Sequence, residues 1–248
     1  MRLLLQITLI LIFTTQIYSQ NKILKLYSNN GKKIRNFTLT EIDSITFGVT
    51  NPCPGIDSLT YSGKTYHTVQ IGSQCWLKEN LDVGTMIMFE NTSAVNGRNQ
   101  TNNGTIEKYC YTDDANICKI YGGLYQYNEA MQYGAAHDIC PNGWHIPTST
   151  EIGTLNTSAG SYAPRLIDGS QELFGTQYVT QNETGFSALL GGYKGDGRIA
   201  YHNISSYAAF WESNSHVSYF ALRNDFPAIT TAENTIGVAY SVRCIKDN

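Results

Sequence analysis

Charge is scarce in this chain: only 15% of its 248 residues are Asp, Glu, Lys or Arg, and the formal net charge is -3. So low a charged fraction excludes a long solvated coiled coil and a charge-driven disordered chain. No cluster of Lys and Arg is dense enough to neutralise a phosphate backbone, which excludes a nucleic-acid footprint. C-x-x-C, H-E-x-x-H and G-x-S-x-G are all missing. The usual signatures of structural zinc, zinc proteases and serine hydrolases are therefore absent. Beyond the first twenty residues no apolar run reaches the ~20 residues that span a bilayer.

What is present is Tyr (17), Gly (22) and six Cys, with polar stretches rich in Asn and Thr. The opening MRLLLQITLILIFTTQIYSQ sets Arg2 before a mostly apolar run from Leu3 to Phe13 and places the small residue Ser19 before Gln20. That is the pattern of a secretory signal peptide over residues 1–19. The first Cys is Cys53, so the usual lipoprotein attachment just after the apolar run is not offered. Arg2 belongs to the leader, and the mature chain carries a net charge of -4. The expected location is secreted, periplasmic or cell-envelope. In an exported chain Cys53, Cys75, Cys110, Cys118, Cys140 and Cys244 read as disulfides, with 15 pairings open to sequence alone. Cys110 and Cys118 are close enough to staple one loop, and a bridge from Cys140 to Cys244 would close about 100 residues.

Residues 20–50 form a short β unit: ILKLY and IRNFTL flank Asn30-Gly31, a hairpin signal, and IDSITF follows. Asn51-Pro52-Cys53-Pro54-Gly55 marks a boundary, and the main domain runs over 53–247. Within it Tyr66–Ile71 reads as a strand and residues 90–108 as an exposed loop. GLYQYNEAMQYG reads as a helix, with Leu124, Tyr127 and Met131 at helical spacing. A second helix starts near Pro147, where Thr148 and Glu151 have capping-box spacing. Ala209–Ser213, Val217–Arg223 and Ile236–Cys244 read as strands. In the last of these Val238, Tyr240, Val242 and Cys244 would face inward, with Ala239, Ser241 and Arg243 outward. The class is α+β.

Six segments, YHTVQIGSQCWLKENL, IYGGLYQYNEAM, CPNGWHIPTSTE, GFSALLGGYKGDGR, AFWESN and YSVRCIKD, taken in this order, resemble the Fibrobacter succinogenes major paralogous domain. The resemblance covers about residues 53–247. It implies a C-type lectin-like domain, shared with sulfatase-modifying enzymes, with two helices, a small antiparallel sheet and chain ends on adjacent strands. It also implies the pairs Cys53–Cys75, Cys110–Cys118 and Cys140–Cys244. Ile152 stands where the family usually has an aromatic residue, and Glu212 where a small hydroxyl residue is common. No activity transfers, and the cysteine pair of the sulfatase-modifying enzymes has no counterpart here.

For chemistry, His137 and His145 flank Cys140, but a disulfide there leaves no thiol to act as ligand or nucleophile. The carboxylates Asp113, Asp114, Glu129, Asp196 and Glu212 are candidates for a hydrolase by position only. Asp113, Asp114 and Asn116 offer oxygen ligands that would suit calcium, set against an Asx turn; no other cofactor is expected. Trp76, Trp144 and Trp211 are assigned to the core. Tyr193, Tyr201, Asn203, Glu212, Asn214 and Arg223 are the candidate ligand-binding residues, placed in polar loops at 191–206 and 211–216. The leading expectation is a secreted, non-catalytic module that recognises glycan or a cell-surface partner. The alternatives are a structural surface or matrix protein and a carboxylate-dependent hydrolase.

Overall fold

The computed structural model describes residues 23–27, 33–38, 53–89, 91–92, 95–96, 99–101, 103–131, 138–168, 182–196 and 201–247. The leader at 1–19, the Asn30-Gly31 turn, IDSITF and His137 lie outside the described residues. The chain divides into two compact units, Met1–Gly48 and Val49–Asn248. In the first, Ile23–Tyr27 (β1) and Lys33–Thr38 (β2) pair antiparallel, Ile23 against Thr38.

The second unit is mostly sheet. Ser58–Tyr61 (β3), Lys64–Ile71 (β4) and Gln74–Leu77 (β5) make an antiparallel meander. Short strands follow at Thr85–Met86 (β6), Asn91–Thr92 (β7), Val95–Asn96 (β8) and Glu107–Lys108 (β9). Then come Ala115–Tyr121 (α1), Tyr125–Gln126 (β10), Tyr127–Met131 (α2), Trp144–His145 (β11) and Ser149–Ser158 (α3). The chain closes with Gly191–Lys194 (β12), Tyr201–Ile204 (β13), Tyr207–Glu212 (β14), Ser218–Arg223 (β15), Phe226–Glu233 (β16), Ala239–Tyr240 (β17) and Ile245–Lys246 (β18).

Two sheets result. The smaller has the order β11-β18-β5-β4-β3, so the last strand lies beside the opening meander. The larger runs β10-β17-β12-β14-β15-β16, with β13 also on β12. One pairing in it, β12 with β14 through Gly192 and Ala208, is parallel. Gly192 has φ +68, and a Cβ there would sit 2.2 Å from His202 O, so only glycine lets β13 fold back this closely.

Several expectations need correction. Where two helices were expected, the described residues hold three short ones. The helix expected over GLYQYNEAMQYG starts only at Tyr127, because Tyr125 and Gln126 pair with Tyr240 and Ala239 as strand; it is described as far as Met131. In its place α1 forms, N-capped by the Asp114 side chain, which accepts from Asn116 N. The loop at 90–108 ends in strand β9, where Glu107 is buried. The small antiparallel sheet becomes two sheets, with a parallel step. The final segment does not alternate inward and outward: Ala239, Ser241 and Arg243 are buried along with Val238, Tyr240, Val242 and Cys244. That stretch is central and covered on both faces. β16 carries few large apolar residues and was not expected at all.

The core has two main clusters. One gathers Trp211, Tyr240, Tyr125, Leu77 and the Cys140–Cys244 bridge. The other packs Ile152 and Leu155 of α3 against Trp76, Phe186, Phe210 and Phe220. Trp76, Trp144 and Trp211 are all buried. The disulfides are Cys53–Cys75, Cys110–Cys118 and Cys140–Cys244, the pairing the resemblance implies.

Candidate functional site

The α3 helix begins as its sequence dictates. Thr148 Oγ1 accepts from Glu151 N, and the Glu151 carboxylate accepts from Thr148 N at 2.8 Å. Ile152 and Leu155 dock it on the core, which leaves one edge open. Along that edge Ser149, Ile152, Gly153 and Asn156, spaced i, i+3, i+4 and i+7, line a groove of about 550 Å3. The opposite wall is sheet: Glu212 at the end of β14, Ser218 on β15, and Ile229, Thr231, Ala232 and Glu233 on the edge strand β16, with Asn214 from the β14–β15 turn.

Glu212 is the central group. It is 3% exposed although it is a carboxylate. Its Oε1 accepts from the Ser149 hydroxyl, from Asn214 Nδ2 at 3.3 Å and from Ser218 Oγ at 3.4 Å. Its Oε2 is shielded and has no partner. Asn156 Oδ1, on the helix side of the same groove, is likewise shielded and without a partner. Buried polar atoms nearly always find one, so two such acceptors lining one groove single it out. A lining of Ser, Asn, Thr and Glu with the apolar Ile152 and Ile229 suits a ligand rich in donors.

The other sequence candidates fall elsewhere. Residues 191–194 and 201–204 are strands β12 and β13, not the recognition loop expected over 191–206. Tyr193 stacks on His202 with ring centroids 5.0 Å apart and lines a shallow surface with Asp196 and Asn234. The polar groups there are already engaged: Asp196 accepts from Thr235 Oγ1 at 2.8 Å, and Asn234 Nδ2 donates to the Tyr240 hydroxyl at 2.6 Å. Tyr201 is half-buried and donates its hydroxyl to Asp113 Oδ1 at 2.6 Å. Burial and that bond raise its pKa. Asn203 and Arg223 share a third hollow, where Arg223 is forked onto Asp225 with two bonds of 2.8 Å. Of the six residues, only Glu212 with Asn214 and Asn203 with Arg223 are brought together.

The calcium candidates are committed to the backbone and to neighbouring side chains. Asp113 Oδ1 also accepts from Phe89 N, Asp114 caps α1, and Asn116 Oδ1 accepts from Lys119 Nζ. Among the described residues no group of three or more His, Cys, Asp or Glu side chains gathers as a metal site. Glu129 is buried in α2, where its Oε1 accepts from Glu107 N at 2.8 Å. Burial raises its pKa despite that bond. His145 has both ring nitrogens on carboxylates: Nδ1 lies 2.6 Å from Asp247 and Nε2 3.0 Å from Glu151. Burial pulls the His145 pKa down, but the two acidic partners outweigh it and raise it.

Sequence reasoning missed Asn156 and the β16 wall. The helical spacing of Ser149, Gly153 and Asn156 beside Ile152 was the available signal. No helix of the described residues is long and apolar enough to cross a membrane, and three disulfides are consistent with an extracellular or secreted setting. The family model of the Fibrobacter succinogenes major domain matches residues 69–246, most of the chain. No curated protein and no solved structure matches.

Proposed function

We propose, from the premise that this chain belongs to the Fibrobacter succinogenes major domain family, that it is an exported, non-catalytic binding module. Its ligand site is the groove between α3 and β14–β16, and its ligand is hydroxyl-rich, a glycan before a protein. The observation that carries this reading is the pair of shielded acceptors, Glu212 Oε2 and Asn156 Oδ1, that no protein group satisfies. An unpaired buried acceptor costs about 1–3 kcal/mol. A side-chain rotation that turns either oxygen into the groove brings it within reach of a sugar hydroxyl, which supplies the missing donor. The apolar leader at 1–19 and the three disulfides support export. The C-type lectin-like arrangement is part of the proposal and is supported by the last strand, β18, lying next to β5. The candidate carboxylates are held in separate structural settings, which supports binding over hydrolysis.

The test is a glycan array with residues 20–248 and two variants. Glu212→Gln removes the charge and half the acceptor capacity. Gly153→Leu puts a side chain into the groove at a position where a Cβ meets nothing within 4 Å. Saturable binding, weakened about tenfold or more in both variants with both still folded and Gly153→Leu melting no lower than wild type, is the expected result. Binding that ignores both variants would move the site elsewhere, and a blank array would reject the glycan.

A second reading, a self-associating surface or matrix protein, rests on β16. This eight-residue strand ends the larger sheet with no strand beyond it among the described residues, and an open edge can template pairing with another chain. Concentration-dependent sedimentation, abolished by Thr230→Pro, would favour it.

A further inference from the structure

Away from the residues of the groove, Arg243 is buried with no carboxylate among its hydrogen-bond partners, and Glu79 acts on it only through space. Arg243 is 1% exposed, yet all its hydrogen-bond partners are neutral. Nε and Nη2 donate to Asn80 Oδ1 at 3.0 and 2.6 Å. Nη1 donates to Leu77 O at 3.2 Å and Phe186 O at 2.6 Å. The guanidinium carbon lies 4.6 Å from the Phe186 ring centroid. A guanidinium has five N–H donors, and these bonds use four. Taking a charge out of water with no ion of opposite sign beside it is costly. Burial pulls the Arg243 pKa down to about 9, against a weaker upward pull from the Glu79 carboxylate.

Arg243 lines a pocket of about 280 Å3 together with Lys64, Lys78 and Lys119, against Glu79 and Asp168. Residues 51–248 hold eleven Lys and Arg against eighteen Asp and Glu, so four of the eleven cations line one hollow of an acidic domain. The lining sets these four cations against two carboxylates, Glu79 and Asp168, and so keeps an excess of positive charge. Glu79 is engaged by the backbone N and ring Nδ1 of His67, each at 2.8 Å. Lys64 reaches out to Asp82 at 3.4 Å. Lys119 rests on the neutral Asn116 Oδ1, and the Lys78 ammonium has no partner among the described residues. Ser187, also on the lining, holds φ +53, a conformation that non-glycine residues avoid unless the surroundings impose it.

We propose that this pocket binds a sulfate or phosphate oxyanion, held by the Lys78 and Lys119 ammoniums over the buried Arg243 guanidinium. The anion adds negative charge to the partial compensation that Glu79 gives Arg243, and the pocket exceeds the size of a bare tetrahedral ion, with room for the group an ester would carry. The site is separate from the groove, and nothing in its argument depends on the groove's ligand.

Thermal unfolding and calorimetric titration test it at constant ionic strength and pH 7. The probes are sodium sulfate, sodium phosphate, sodium chloride, and N-acetylglucosamine with and without a 6-sulfate. Sulfate also stabilises proteins in general by exclusion from their surface. The decisive comparison is therefore with a Lys78→Gln/Lys119→Gln variant, which removes the ammoniums of the half-buried Lys78 and the exposed Lys119 and leaves Arg243 and the core in place. Site binding is saturable and weakens about tenfold in that variant, whereas exclusion is linear in salt and survives it. Arg223→Gln, at a different hollow, keeps the wild-type response. Tighter binding of the 6-sulfate ester than of inorganic sulfate identifies an ester as the source, and the reverse identifies the free ion. Equal responses to sulfate and chloride, or a saturable response unchanged in the double variant, would overturn the proposal.

Discussion

The Tyr201 hydroxyl joins β13 to the segment ahead of α1 through its 2.6 Å bond to Asp113 Oδ1. Its ring packs at 5.1 Å from Tyr111 and 6.4 Å from Phe89. Removing the hydroxyl leaves a carboxylate oxygen short of one donor, so Tyr201→Phe should lower stability by about 1 kcal/mol in urea unfolding. No loss would mean that solvent already shares the bond. Tyr201 was expected as a surface recognition residue because composition cannot distinguish a tyrosine that faces solvent from one that ties two elements together. Gly153 is the opposite case. It sits inside a helix, at a cost relative to alanine, and a Cβ there meets nothing within 4 Å. Gly153→Ala should therefore stabilise the protein by about 0.5–1 kcal/mol, read as a raised urea midpoint at unchanged slope. A loss of stability would show that the groove is tighter than described. The sequence marked Gly153 as a weakness of the helix but not as a gap in a binding wall. Nothing local to it says that β16 stands opposite.

At the scale of elements, Glu151 does two jobs. It closes the capping box of α3 through Thr148 and holds His145 Nε2, while Asp247, just after β18, holds Nδ1. The imidazolium thus clasps the start of α3 to the chain's last strand. The His145 pKa is raised in the folded protein, so its contribution is full below its unfolded value and is lost as pH rises through the folded value. Burial pushes the Glu151 carboxyl up, but its bonds to Thr148 and His145 bring it below the usual range. Its contribution is present above the unfolded value and lost as pH falls through the folded one. The clasp should therefore contribute most at about pH 5–6, between the ordinary Glu and His values. The stability difference between wild type and His145→Gln, from urea curves, should peak there and shrink toward pH 9. A difference flat from pH 5 to 9 would show that the charge on His145 is irrelevant. The α3 start was legible because a capping box is encoded within four residues. The α2 region was not: the helical spacing of Leu124, Tyr127 and Met131 is real, yet pairing of Tyr125 with Tyr240 converts its first turn to strand. β16 was illegible for a similar reason. Its polar Thr-Thr-Ala-Glu half suits an edge strand exposed to water, which has no apolar alternation to betray it.

At the scale of the whole domain, six cysteines in an exported chain announce staples, but spacing alone leaves their partners open. The partners matter because the bridges close very different lengths of chain. Cys110–Cys118 spans a sequence separation of 8 and ties down only α1. Cys140–Cys244 spans 104 and encloses α3 and strands β11 to β17. In the chain-entropy account the short loop is worth about 2–3 kcal/mol and the long one about 4–5 kcal/mol. Domains of this kind have only about 5–15 kcal/mol in total. Cys140→Ala/Cys244→Ala should thus bring the protein close to unfolding at 37 °C, while Cys110→Ala/Cys118→Ala should remain folded with a lower urea midpoint. Both cysteine pairs are buried, so the paired alanine changes carry comparable packing losses and their difference isolates the loop. A larger loss from the short bridge would show that Cys110–Cys118 acts by holding the α1 segment in its native shape, not by shortening the unfolded chain. In that case the short staple, which also fixes Lys119 beside the basic pocket, would be the bridge on which that pocket depends.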